Sequence, residues 1–147
     1  MFFLVLTVLS FIHLAGACDV NNDGFADVII GATWEKISNR FRAGSARVYS
    51  GKDGAELFKL LGSGGPIRDH FGSSVDCAGD VNADGFDDLV VGSIKGNAHV
   101  FSGKDGSELY YYAPQNQYIN SGVNVSGVGD VNNDGYDDVV VGTGDES

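Results

Sequence analysis

Short continuous apolar runs recur along this chain at similar places. Val28-Ile29-Ile30, Leu89-Val90-Val91 and Val139-Val140-Val141 each follow an acidic, glycine-containing loop, and each ends in glycine. Runs of this length bounded by turn residues predict buried strands. Ala46–Tyr49 and Ala98–Phe101 are a second kind of run. Both lead into Ser-Gly-Lys-Asp-Gly and are followed by further apolar positions. Asp-Gly between two apolar runs predicts a tight hairpin, because glycine tolerates positive φ. No segment sustains a helical period, so the chain reads as all-β.

The runs belong to an internal repeat. CDVNNDGFADVIIGA from Cys18, GDVNADGFDDLVVGS from Gly79 and GDVNNDGYDDVVVGT from Gly129 align without gaps. ARVYSGKDGAELFKL from Ala46 matches AHVFSGKDGSELYYY from Ala98. HFGSSVDCAGD from His70 precedes the second loop, as NSGVNVSGVGD from Asn120 precedes the third. The order is a strand into the acidic loop, an apolar strand, a linker, a strand ending in SGKDG, and a return strand. Four short strands per unit, with loops starting at Asp19, Asp80 and Asp130, fit propeller blades. The units are residues 18–61, 62–117 and an incomplete third, 118–147, about two and a half blades in all.

Residues 1–17 are almost wholly apolar and end in Ala15-Gly16-Ala17. Small residues at that place fit a secretory signal, although no Lys or Arg precedes the apolar stretch. The length is short of the ~20 residues of a membrane span. A lipoprotein site before Cys18 would need its leucine one place later than Leu14. The alternative is that Val8–Ala17 is the strand preceding the first loop. The signal reading places the protein outside the cell or at its surface. Cys18 and Cys77 could pair in such a compartment, or could simply occupy small-residue positions.

The net charge of −11 argues against a nucleic-acid partner. Nine of the 20 acidic residues fall at Asp19, Asp23 and Asp27, at Asp80, Asp84 and Asp88, and at Asp130, Asp134 and Asp138. Three divalent cations would offset about half the charge excess. The acidity therefore reads as ligands.

Each loop has the pattern D-x-N-x-D-G-x-x-D. Calcium takes six to eight oxygens at flexible distances. Asp80, Asn82 and Asp84 would set three side-chain oxygens on one side of a curled loop, Gly85 permits the turn, the Phe86 carbonyl can point inward, and Asp88 closes the cage. An EF-hand would carry a bidentate Glu at position twelve and enter a helix. Here that position is Ile30, Val91 or Val141, and a strand pattern comes next. A metal-free Asx-rich turn is the plainer alternative. Three copies that keep every ligand type favour calcium.

With Phe71-Gly72 and the pairs Gly31-Ala32, Gly92-Ser93 and Gly142-Thr143, these loops resemble the FG-GAP repeat of integrin α-chain propellers and of secreted bacterial proteins. The resemblance implies a β-propeller whose blades are each rigidified by Ca²⁺, with about three sites. It implies as ligands Asp19, Asn21, Asp23, the Phe25 carbonyl and Asp27. The second set is Asp80, Asn82, Asp84, the Phe86 carbonyl and Asp88. The third is Asp130, Asn132, Asp134, the Tyr136 carbonyl and Asp138. Ser121-Gly122 and Ser10-Phe11 depart from the Phe-Gly pair. Integrin-type propellers have seven blades, so the expectation is a fragment of a longer product or a chain that self-associates.

No catalytic constellation is found. His13, His70 and His99 share no ligand spacing, and the two Gly-Lys pairs lack the Ser or Thr of a phosphate loop. Tyr110–Tyr112 and Trp34 are weak candidates for a carbohydrate or protein contact, with edge-strand and core roles favoured for the tyrosines. Asn124-Val125-Ser126 is a glycosylation sequon on a predicted strand. The expected function is a calcium-stabilised adhesion or interaction module without catalysis. A non-catalytic segment of a secreted hydrolase and a purely structural surface repeat are the alternatives.

Overall fold

The computed structural model describes residues 12–37, 43–62, 69–114 and 123–144. Among these residues lie ten strands. β1 (Ile12–Cys18), β2 (Asp27–Ala32), β3 (Ser45–Tyr49) and β4 (Glu56–Leu60) form one antiparallel sheet in chain order. β5 (Ser74–Gly79), β6 (Asp88–Gly92), β7 (Ala98–Phe101) and β8 (Glu108–Tyr112) form a second in the same order. β9 (Val123–Gly129) and β10 (Asp138–Thr143) form a two-stranded third. β1, β5 and β9 pack beside one another. The result is all-β blades of propeller type, two of four strands and one of two.

The strand for which two readings stood open is β1. Ile12–Gly16 and Cys18 pair with β2, Ile12 opposite Ala32 and Leu14 opposite Ile30. Residues 1–11, Ser121 and Gly122 lie outside the described residues.

The continuous apolar runs arise from burial on both faces of a sheet, where alternation would expose nothing to water. Leu89 and Val91 of β6 face a core shared with Val20, Ile29, Val48 and Phe71 of the first blade and its junction. Val90 faces the other way, toward Val81, Val100, Val123 and Val125. Each core therefore lies between blades. Phe71 is 1% exposed and meets His99 and Phe101 edge-on. The glycine beside it has φ +85° and lies against Gly31 of the preceding blade, where a Cβ on Gly31 would strike the Gly72 carbonyl. Both members of the Phe-Gly pair thus belong to the blade junction.

The same irregularity precedes all three acidic loops. The register slips by one residue between Gly16 and Cys18, between Cys77 and Gly79, and where Asp138 and Val139 pair with Gly129 and Gly127. A bulge bends a strand and redirects the chain beyond it. It stands at the same place before each loop. Cys18 and Cys77 form a disulfide from β1 to β5, with Cα atoms 5.7 Å apart.

Candidate metal centre

Each acidic loop connects the first two strands of a blade: β1 to β2, β5 to β6, β9 to β10. The short polar side chains curl the backbone by accepting its amides. In the second loop, Asp80 accepts from Asp84 at 3.0 Å and from Gly85 at 2.8 Å. Asn82 accepts from Asp84 at 2.9 Å, and Asp84 from Phe86 at 3.2 Å. The first loop repeats this with Asp19, Asn21 and Asp23, and the third with Asp130, Asn132 and Asp134. Backbone angles repeat as well. Asn22, Ala83 and Asn133 have φ of 54°, 57° and 60°, and Gly24, Gly85 and Gly135 have 88°, 89° and 93°. The glycine is needed there because a Cβ opposes such angles.

The ninth position is different in kind. Asp88 is fully buried and accepts from Val81 at 3.0 Å and from Gly103 at 3.0 Å. Asp27 is 3% exposed and accepts from Val20 at 3.1 Å and Gly51 at 3.0 Å. Asp138 accepts from Val131 at 3.0 Å. Burial pushes the Asp88 carboxyl up to about 6 against the pull of its two amide bonds, and the charges of Asp84 and Asp80 push the same way. Asp27 is raised for the same leading reason. A cation among these carboxylates would reverse that cost.

Each five-residue set runs along one loop and ends on the first residue of the strand after it, Asp27 of β2, Asp88 of β6 or Asp138 of β10. Phe25 and Tyr136 are half-exposed at the loop exits, and Lys52 and Lys104 lie over the Phe25 and Phe86 rings at 5.6 and 5.4 Å. Among the described residues, no group of three His, Cys, Asp or Glu side chains is gathered to hold a metal ion as it stands. Their oxygens are turned onto loop amides, and each keeps further lone pairs. The donors are all oxygen, three carboxylates and an amide per loop, which is the chemistry of a hard cation. In donor type the residues fit calcium, and Asp19, Asn21, Asp23 and Asp27 and their counterparts are the ones that would hold it.

The FG-GAP repeat family matches residues 12–49, from β1 through β3. The FG-GAP-like repeat family matches residues 80–141, from the second acidic loop into β10. The chain belongs to the FG-GAP repeat family. It is similar to integrin alpha-2 of Mus musculus, 36% identical over 55% of this chain and 7% of that protein. Integrin alpha-PS5 of Drosophila melanogaster is 36% identical over 56% of this chain and 8% of its own length. Integrin alpha-8 of Gallus gallus is 31% identical over 71% of this chain and 10% of its own length. This FG-GAP chain thus spans a tenth or less of the relatives' lengths. Among the described residues no helix is long and apolar enough to cross a membrane.

Two kinds of residue in these FG-GAP loops escape a reading by ligand type. Gly51 and Gly103, read from the sequence as hairpin glycines, supply amides to Asp27 and Asp88. Asp87 and Asp137, at position eight, accept the amides of Asp19 and Asp80 in the preceding loop. The only trace of the second kind in sequence is that position eight is Asp in two copies and Ala26 in the first. The weak candidates separate too. Tyr110–Tyr112 lie in β8, the outer strand of its sheet, and are exposed. Trp34 is exposed in the turn after β2. His99 is a strand residue but buried, 2.9 Å from Glu108.

Proposed function

We propose that this FG-GAP chain is a calcium-binding, non-catalytic interaction module of an extracellular or cell-surface protein. Calcium serves to rigidify the blades, and the partner is a protein or a carbohydrate. The observation that supports this most is the acidic loop itself. One all-oxygen ligand set recurs three times in one backbone conformation, each time at the same end of a blade. A bound cation would replace the mutual repulsion of those carboxylates with attraction and tie β1 to β2, β5 to β6 and β9 to β10. Extracellular calcium modules bind at ~10⁻⁴–10⁻³ M. Calcium titration by calorimetry, paired with thermal melting, tests the reading. About three ions per chain and a rise in melting temperature are expected, and Asp84→Ala removes one ion. Absence of heat and of any rise, or unchanged uptake in Asp84→Ala, counts against it.

A further inference from the structure

The acidic loops are bonded to one another across the blade junctions. The Asp19 amide donates to Asp87 Oδ2 at 3.0 Å. The Asp80 amide donates to Asp137 Oδ2 at 2.8 Å, and the Asp137 amide returns a bond to the Asp80 carbonyl at 3.2 Å. The Asn22 side chain also reaches the Gly85 carbonyl at 3.3 Å. Asp87 and Asp137 are outside the ligand set. Each grips the backbone of the residue that opens the loop before its own. The approach leaves no room to spare: a Cβ on Gly79, the residue before Asp80, would strike the Asp137 carboxylate. With Ala26 at position eight, the first loop offers no such carboxylate. The carboxylate ties run one way, from the third loop to the second and from the second to the first.

Resting on the calcium reading, we infer that Asp87 and Asp137 are positioning residues that couple neighbouring calcium loops. Asp80 and Asp19 begin the two loops and each bends its own loop by accepting two amides. A backbone already fixed at that residue presents its carboxylate without a further ordering cost, so the cation binds more tightly. Asp137 thus readies Asp80 of the second loop and Asp87 readies Asp19 of the first, whether or not their own loops hold an ion.

The test is a calcium titration of the whole chain, read from the amide resonances of Gly24, Gly85 and Gly135, one glycine per loop. Asp137→Ala lowers the affinity reported by Gly85 about tenfold, the scale of one charge-assisted hydrogen bond, and leaves Gly135 within about twofold. Asp87→Ala moves the loss to Gly24 and spares Gly85. Asparagine keeps an acceptor oxygen without the charge, so Asp137→Asn and Asp87→Asn give a smaller loss at the same neighbour. They carry the comparison if an alanine variant does not fold. A loss centred on the loop that bears the substitution is a charge effect and overturns the coupling. So does an equal loss at all three glycines, or none. If the wild-type resonances do not move with calcium, the calcium reading itself falls and the coupling with it. If they move and the variants match wild type, the coupling alone falls.

Discussion

The amide of Gly103 donates to Oδ1 of Asp88 at 3.0 Å, joining the tip of one hairpin to the last acid of the loop beside it. Gly51 and Asp27 repeat the bond in the first blade. A Cβ on Gly103 would run into the backbone carbonyl of Asp87, and that carbonyl has no rotamer by which to give way. Gly103→Ala is expected to cost about 3 kcal/mol, combining overpacking with a weakened bond to a buried carboxylate. A chemical denaturation series in the presence of a chelator measures it.

Asp84 and Asp88 share a loop but differ in what they do without metal. Asp88 is fully buried and takes two backbone amides, whereas Asp84 is part-exposed. Asp88→Ala leaves two buried donors unpaired and is expected to lose about 2–4 kcal/mol even in chelator. Asp84→Ala is expected to stay within about 1 kcal/mol in chelator and to show its effect only when calcium is added. Paired melts with and without calcium separate the two behaviours.

Acid sensitivity should trace in part to Glu35. Burial works against its ionisation, but hydrogen bonds from Lys59, Ser45 and Arg47 prevail and hold its carboxyl below the usual range. A carboxyl depressed in the folded state adds stability above its unfolded value, and that stability is lost as pH falls through the folded value. Asp27, Asp69 and Asp88 are raised by burial and run the opposite way. The difference in unfolding free energy between wild type and Glu35→Gln isolates the first effect. It is expected to be constant at neutral pH and to shrink below about pH 4.5.

The Cys18–Cys77 bond closes a loop of 59 residues between β1 and β5. In the chain-entropy account such a crosslink contributes about 4 kcal/mol. Reductant, or Cys18→Ser with Cys77→Ser, is expected to lower the melting temperature well beyond the effect of any one surface substitution. Melting with and without reductant, run alongside the double variant, checks it.

Much of this molecule was legible before any coordinates. The apolar triplets, the Lys-Asp-Gly hairpins and the acidic loops are local patterns, and they put the strands in the right order. What stayed hidden is what crosses long sequence distances. The bond from Asp19 to Asp87 spans 68 residues and that from Asp80 to Asp137 spans 57. Nothing near Asp87 distinguishes a carboxylate facing water from one aimed at another blade. His99 shows the same limit. It holds the place in its hairpin that Arg47 holds in the first blade, each paired with a glutamate, yet only His99 is enclosed, beside Phe71 and Tyr111.

The bond from one blade's opening amide to the next blade's eighth-position carboxylate gives the array a polarity. The second blade shows both flanks, its Asp80 amide donating and its Asp87 carboxylate accepting, so the junction is heterologous and propagates head to tail. Two copies meeting by like flanks would set carboxylate against carboxylate. A copy inserted between neighbours would meet on each side the flank it needs. Length can therefore change by whole repeats through duplication, with no new interface to invent.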